Sequence, residues 1–143
     1  MIYDEEVIGK CAIIEWEQYK KENINSFVLD DKMQIEQLEK VFSEINRFDH
    51  DVKIYVSTYP IEKNKNGIIM YSDMLWIKTK LSCVQLEAIF SNYCQIEPSS
   101  IFGLTEEEKN YSELYFDAKF KYKEFTMVSN LFSLDEIKVL YWD

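Results

Sequence analysis

The chain has 143 residues, 47% of them hydrophobic, and it carries 26 acidic residues against 16 basic ones. This length and apolar content indicate one domain over residues 1–143 with a single core, and they exclude a disordered chain. The net charge of -10 argues against nucleic-acid binding, which needs clustered cations, and favours a basic protein partner. Net negative charge that serves only solubility is the alternative explanation.

The sequence gives no sign of export or membrane insertion. The first residues, Met1–Glu6, are acidic where a secretory signal is basic and then apolar, and no apolar run is long enough to span a bilayer. The three cysteines form no C-x-x-C pair, which is typical of reduced thiols. We therefore expect a cytoplasmic protein, and the richness in Ile, Lys and Asn suggests a bacterial source with an AT-rich genome.

The N-terminal third contains one ambiguous segment and one clear helix. Residues 10–16 suit a strand, whereas residues 11–22 also suit a helix. From Asp31 onward the apolar residues recur at helical spacing and predict an amphipathic helix. Asp31 and Gln34 form a capping-box pattern at its start. The apolar positions of this helix are Ile35, Leu38, Val41, Phe42, Ile45 and Phe48.

A β-hairpin is predicted next. Residues 52–59 alternate with a period of two and are rich in β-branched and aromatic residues. Asn66-Gly67 is a preferred pair for a tight turn, so residues 68–78 should return antiparallel, with Lys65 paired to Ile68. This register gives the hairpin an aliphatic face and an aromatic face. The aliphatic face contains Val56, Thr58, Leu75 and Ile77, and the aromatic face contains Tyr55, Ser57, Tyr59, Met74, Trp76 and Lys78.

The C-terminal half predicts a second helix and another strand. Ser82 and Gln85 form a capping signal, and this helix must end before Pro98. Residues 114–122 alternate strictly and predict a strand with lysines on one face. Residues 125–143 could add a strand or cover the sheet. The expected fold is α+β, an antiparallel sheet with two helices on one face, in a ferredoxin-like β-α-β-β-α-β order plus a C-terminal extension.

No residue pattern defines a catalytic centre, and we expect no metal or other cofactor. Asp49-His50-Asp51 is the one place where the single histidine meets carboxylates, as a general base or metal site requires. Adjacent residues of an extended chain point in opposite directions, which favours a solvated turn instead. The glycine content is too low for a phosphate-binding loop, and no G-x-S-x-G elbow occurs.

The aromatic hairpin face is the strongest candidate for function, because tyrosine and tryptophan are typical interface anchors. Either this face is open and binds a partner, or residues 125–143 cover it. Its expected members are Tyr55, Tyr59, Met74, Trp76 and Tyr115. The sequence favours a small acidic binding protein, for example an immunity-type inhibitor of a cationic toxin. The alternatives are an enzyme built on His50 and a carboxylate, or nucleic-acid binding through an open face of aromatics and lysines. The oligomeric state is left open.

Overall fold

The computed structural model describes residues 12–21, 25–65, 67–103 and 136–143. The predicted α+β class is confirmed. The predicted strand over residues 114–122, which includes Tyr115, lies outside the described residues. The helices are α1 (Trp16–Lys21), α2 (Lys32–Phe48) and α3 (Cys83–Phe90), followed by a 3-10 turn (Cys94–Ile96). The strands are β1 (Ala12–Glu15), β2 (Ser26–Phe27), β3 (Lys53–Asn64), β4 (Gly67–Lys78), β5 (Ser100–Gly103) and β6 (Ile137–Tyr141).

Both predicted capping boxes form. The Asp31 carboxylate accepts from the Met33 amide at 2.7 Å, and the Gln34 side chain accepts from the Asp31 amide at 3.3 Å. Ser82 and Gln85 make the equivalent pair at the start of α3. Within the described ranges, no helix combines the length and the apolar character that crossing a membrane requires.

The ambiguous N-terminal segment contains both elements in succession. Residues 12–15 form β1, and the chain then turns directly into the short helix α1. Trp16 and Tyr19 are buried on one side of this helix, as residues three apart should be. The strand prediction is therefore correct for residues 12–15, and the helix prediction is correct for residues 16–21.

The described strands lie in the order β1-β3-β4-β6-β5, and neighbouring strands are antiparallel. The two-residue strand β2 pairs in parallel with β4 at Tyr71 and Ser72, while β6 pairs with β4 over Met74–Lys78. Part of the C-terminal tail thus adds a strand to the sheet, which is one of the two expected outcomes.

The ferredoxin-like order is not confirmed. In a ferredoxin-like sheet the first strand is parallel to the first strand of the hairpin, and another strand lies between the two. Here β1 is antiparallel to β3 and directly beside it, with Ala12 opposite Thr58. The physical reason lies in the connection, because the chain between β1 and β3 forms α1, β2 and α2 rather than a single crossover helix.

The hairpin forms, but the predicted register is wrong by two residues. It closes on Asn64 opposite Gly67, and Val56 lies opposite Leu75 instead of Ile77. A shift of two residues leaves the predicted members of both faces on their expected sides, because strand side chains alternate with a period of two. Between the two irregularities the pairing is offset by one further residue, which brings Tyr71 opposite Tyr59. Two irregularities interrupt the pairing, one with the extra residue on β4 near Asp73 and one with the extra residue on β3.

The main core lies between the aliphatic sheet face and the helices. Leu75 and Ile77 are fully buried on this face. Leu140, opposite Leu75 on β6, is fully buried beside them. Aromatic rings extend the core, since Trp16 packs edge-on against Phe42 of α2. Helices α2 and α3 also contact each other. The buried residues of α2 are Leu38, Val41, Phe42 and Ile45, and those of α3 are Leu86, Ile89 and Phe90.

Candidate functional site

The structure divides the predicted aromatic face into a buried part and a partly exposed part. Tyr55 and Trp76 lie directly opposite each other, and each is only 2% exposed. Burial, reinforced by the charge of Glu15, raises the pKa of the Tyr55 phenol to about 12. These two side chains are not surface residues in this conformation. Tyr115, the fifth predicted member, lies outside the described residues.

Tyr59 and Met74 belong to the partly exposed end of the same face. The Tyr59 ring meets the Tyr71 ring edge-on, with centroids 5.8 Å apart. Met74 lies opposite Tyr141 of β6. Three aspartates carry charge close to these tyrosines. We call this set the acidic tyrosine surface, and its members are Tyr59, Tyr71, Met74, Tyr141, Asp30, Asp73 and Asp143.

A β-bulge positions Asp73 in this surface. Ser57 pairs with Met74 and Tyr59 pairs with Tyr71, so two residues of β4, Ser72 and Asp73, oppose the single residue between them on β3. The buried Ser72 hydroxyl donates to the Ser57 carbonyl at 2.6 Å and accepts from the Met74 amide at 3.1 Å. Bulges of this kind redirect a side chain out of the regular alternation. The hydrogen bonds of Ser72 therefore hold the bulge at this position, where the regular alternation of side chains is interrupted at Asp73.

The charges of this surface disfavour one another. Burial, followed by the nearby Asp143, raises the pKa of the Asp73 carboxyl above its ordinary value. Asp143 is the main cause of the raised pKa of the Tyr141 phenol, and burial and Asp73 add to it. Burial is the main cause of the raised pKa of the Tyr71 phenol, and the charges of Asp73, Tyr141 and Asp30 add to it. The charge contributions to these shifts mean that another negative charge here is costly and that a cation would offset it, whereas the contribution of burial disfavours a charge of either sign.

The described residues provide no cation that balances these aspartates. The ion pairs of the described ranges join Lys20 to Glu17 and Glu39, and Lys78 to Glu136. None of them involves Asp30, Asp73 or Asp143 within those ranges. The acidic tyrosine surface thus combines partly exposed aromatic rings with carboxylates that have no described positive partner.

The Asp49-His50-Asp51 segment is a structural turn. Asp49 is buried, and its carboxylate accepts from the Thr79 hydroxyl at 2.7 Å, the Lys80 amide at 2.9 Å and the Asp51 amide at 3.1 Å. His50 and Asp51 are exposed. In the described part of the chain, no three His, Cys, Asp or Glu side chains are grouped as a metal site requires. Asp49 instead joins the end of α2 to the loop before α3.

We expect Asp49→Asn to lower the free energy of unfolding by about 1–3 kcal/mol, because it weakens hydrogen bonds to a buried charged acceptor. Burial opposes the charge of Asp49, yet the bonds from Thr79, Lys80 and Asp51 outweigh it and lower the pKa of this carboxyl. The added stability is therefore complete above the unfolded pKa, about 3.9, and is lost as the pH falls further through the folded value. Urea unfolding of both proteins at pH 7 and pH 3 measures this difference.

The matched control for this test is Asp51→Asn, because Asp51 is exposed and contributes only its backbone amide to the turn. Its stability should stay within about 0.5 kcal/mol of the unchanged protein. An equal loss in both variants, or a loss in Asp49→Asn that persists undiminished at pH 3, would contradict the structural role given to Asp49.

Sequence reasoning missed five of the seven members of the acidic tyrosine surface. Tyr71, Tyr141 and the three aspartates were not among the predicted residues. One signal could have found some of them, since a Tyr-x-Asp pattern occurs twice, as Tyr71-Ser72-Asp73 within β4 and as Tyr141-Trp142-Asp143 at the end of β6, which pairs with β4. Asp30 has no such signal, because the two-residue strand β2 that precedes it was not predicted.

Comparison of the chain with protein-family models, with curated proteins and with solved structures gives no match. The class of the protein follows from its own elements, which form an α+β domain. Its candidate site follows from the contacts and charges of the acidic tyrosine surface.

Proposed function

We propose that this chain is a non-catalytic binding protein whose acidic tyrosine surface binds a basic protein. The observation that carries this proposal is the clustering of Asp30, Asp73 and Asp143 around Tyr71 and Tyr141 without a described cation. Tyrosines are frequent binding hot spots, since they offer a large rigid surface and a polar tip. Carboxylates beside them would pair with lysine or arginine side chains of the partner.

An immunity-type inhibitor of a cationic toxin is the form of this function that we favour. The whole chain is acidic, with a net charge of -10, so a basic partner would be attracted from a distance as well as at the contact surface. Such an inhibitor has to bind quickly, because free toxin harms the cell that makes it. We place this activity in the cytoplasm of a bacterial cell.

The test is a growth assay with the product of the neighbouring gene. If that product is a basic toxin, its expression in a bacterial host should stop growth, and co-expression of this chain should restore it. The double variant Asp73→Lys with Asp143→Lys should fail to restore growth, because it places two cations where the partner's cations would bind.

A matched double variant, Asp51→Lys with Glu87→Lys, serves as the control. Both of its positions are exposed and lie outside the acidic tyrosine surface, and the change in net charge is the same. It should restore growth as well as the unchanged chain does. Melting temperatures of both variants show whether they fold. A folded Asp73→Lys, Asp143→Lys protein that still protects the cells would overturn the assigned surface, and a harmless neighbouring product would count against the toxin.

A further inference from the structure

A groove of about 440 Å³ lies between the β1–α1 segment, α2 and the start of β3, and it shares no residue with the acidic tyrosine surface. Its volume is typical of sites that bind small molecules. Its apolar lining comes from Phe42, Val52 and Ile54, and Ser43 and Asn46 add uncharged polar groups. Charged side chains complete the lining, from Glu15, Glu17, Glu39 and Lys53.

The charges around this groove nearly cancel. The Lys20 Nζ atom lies 2.9 Å from Oε2 of Glu39 and 3.4 Å from Oε2 of Glu17, so an ammonium of the chain itself already pairs with two of the three carboxylates. Glu15 and Lys53 take part in none of the ion pairs of the described ranges, and they carry one charge of each sign. A charged ligand would meet a like charge here whichever sign it carried. The groove therefore favours a ligand without net charge.

Trp16, which also lines the groove, has a hydrogen-bond donor without an acceptor in the described part of the chain. The residue is 4% exposed, and its indole Nε1 atom is shielded from water. The ring packs edge-on against Phe42, with centroids 5.5 Å apart, and this packing holds its orientation. A buried donor without an acceptor costs free energy, and in a folded protein such a group calls for an explanation. A ligand that brings an acceptor provides one.

Simple ligand classes leave part of this lining unsatisfied. An ammonium ion has no acceptor for the Trp16 N–H, and a carboxylate would be repelled by Glu15. A purely apolar ligand would bury polar groups without giving them partners. A hydroxyl group both donates and accepts, so a set of hydroxyls can accept from Trp16 and Lys53 and donate to Glu15. Hydroxyl groups therefore match every polar group of the groove.

We infer that this groove binds a neutral polyhydroxylated ligand, with the chemistry of a mono- or disaccharide. One ligand hydroxyl would accept from the Trp16 indole N–H, and others would bond to the exposed Asn46 and Lys53. The C–H face of the sugar ring would pack on Val52 and Ile54, which are partly exposed. Because the indole N–H is shielded in the free protein, its bond to the ligand forms when neighbouring side chains of the groove move aside.

The experiment titrates the full chain with glucose, galactose, mannose, maltose and cellobiose. The readout is the indole N–H signal of Trp16 in an amide-correlated NMR spectrum, which Trp16→Phe identifies by its loss. At least one sugar should bind saturably and shift this signal downfield, as a new hydrogen bond does. The Trp142 indole already donates to the Ile96 carbonyl at 2.9 Å, so its signal should not move. Binding of none of these sugars, or binding without a shift of the Trp16 signal, would overturn the inference.

Salt and a cation without hydroxyls test the ligand class. The affinity for the sugar should be the same at low and at high ionic strength, because screening weakens only the binding of charged ligands. Putrescine should leave the Trp16 signal in place, because its two ammonium groups offer no acceptor. An affinity that falls with salt, or a shift of the Trp16 signal by putrescine, would assign the groove to cations and overturn the neutral class.

Three variants at exposed positions test the contacts without disturbing the core. Asn46→Ala should weaken sugar binding about fivefold, because a hydrogen bond is lost. Asn92→Ala is the matched control, since Asn92 follows α3 and does not line the groove, and it should leave binding unchanged. Glu15→Gln should change the affinity by less than about threefold, because an amide also bonds to hydroxyls. Unchanged binding by Asn46→Ala, or a large loss in Glu15→Gln, would contradict the assigned contacts.

Discussion

Trp76→Ala is expected to lower the free energy of unfolding by about 3–5 kcal/mol, the usual cost of truncating a buried tryptophan. Trp76 is only 2% exposed and lies opposite the equally buried Tyr55, so the variant leaves a cavity that its neighbours cannot fill. Ile77→Ala, on the aliphatic face next to it, should cost about 2–5 kcal/mol for the same reason. We therefore expect the side chains on both faces of the hairpin to contribute to the packed core at Trp76 and Ile77.

Urea unfolding of the two variants measures these losses. Ile61→Ala is the matched control for Ile77→Ala, because it removes the same atoms from a side chain that is 50% exposed, and it should cost less than about 1 kcal/mol. A Trp76→Ala protein that stays folded with unchanged stability would contradict the burial of this face. It would also restore Tyr55 and Trp76 as candidates for an open recognition surface.

Tyr71→Ala and Tyr141→Ala should each weaken binding of the basic partner by about 2 kcal/mol or more, roughly a 30-fold rise in Kd. Both phenols are partly exposed beside Asp73, and truncation removes the ring that would pack against the partner. Most of the loss should appear as faster dissociation, since the charges that steer association are kept. Binding kinetics with the purified toxin measure both rate constants.

Tyr93→Ala is the control for this pair. Tyr93 is also partly exposed, but it follows α3 and its hydroxyl donates to Glu44 of α2, away from the acidic tyrosine surface. Its Kd should stay within about threefold of the unchanged value, as substitutions outside a hot spot usually do. If all three tyrosine variants lost affinity equally, the loss would reflect the fold and not the contact surface.

Local signals in the sequence were sufficient for the helices α2 and α3 and for the faces of the hairpin, but they left the segment that forms β1 and α1 ambiguous. The capping boxes at Asp31 and Ser82 set the helix starts, because their hydrogen bonds join residues no more than three positions apart. Alternation assigned Val56 and Tyr55 to opposite faces. The predicted hairpin register was wrong because alternation determines only the face of the strand on which a residue lies, and not its partner on the other strand. A shift of two residues keeps the same faces and therefore fits the pattern equally well. The short strands β2 and β5 have too few residues to show a period.

The candidate site was less accessible to sequence reasoning, because it depends on tertiary placement. Asp73 reaches the surface through a bulge that the Ser72 hydroxyl stabilises, and nothing local in the sequence marks that bulge. Asp143 joins it only because β6 pairs with β4, a contact between residues far apart in the chain. Burial of Tyr55 and Trp76 is likewise set by packing, so two of the five predicted residues became core residues.

The most direct test of the acidic tyrosine surface is the association rate constant of the toxin at low and high ionic strength. At low salt, Asp73→Lys with Asp143→Lys should slow association by about 100-fold, because it reverses the charges that steer a basic partner. Asp51→Lys with Glu87→Lys should slow it by less than about fivefold, and screening at high salt should bring all three proteins close together. Equal slowing by the two double variants would contradict this account, since the net charge of the chain would then matter and the acidic tyrosine surface would not.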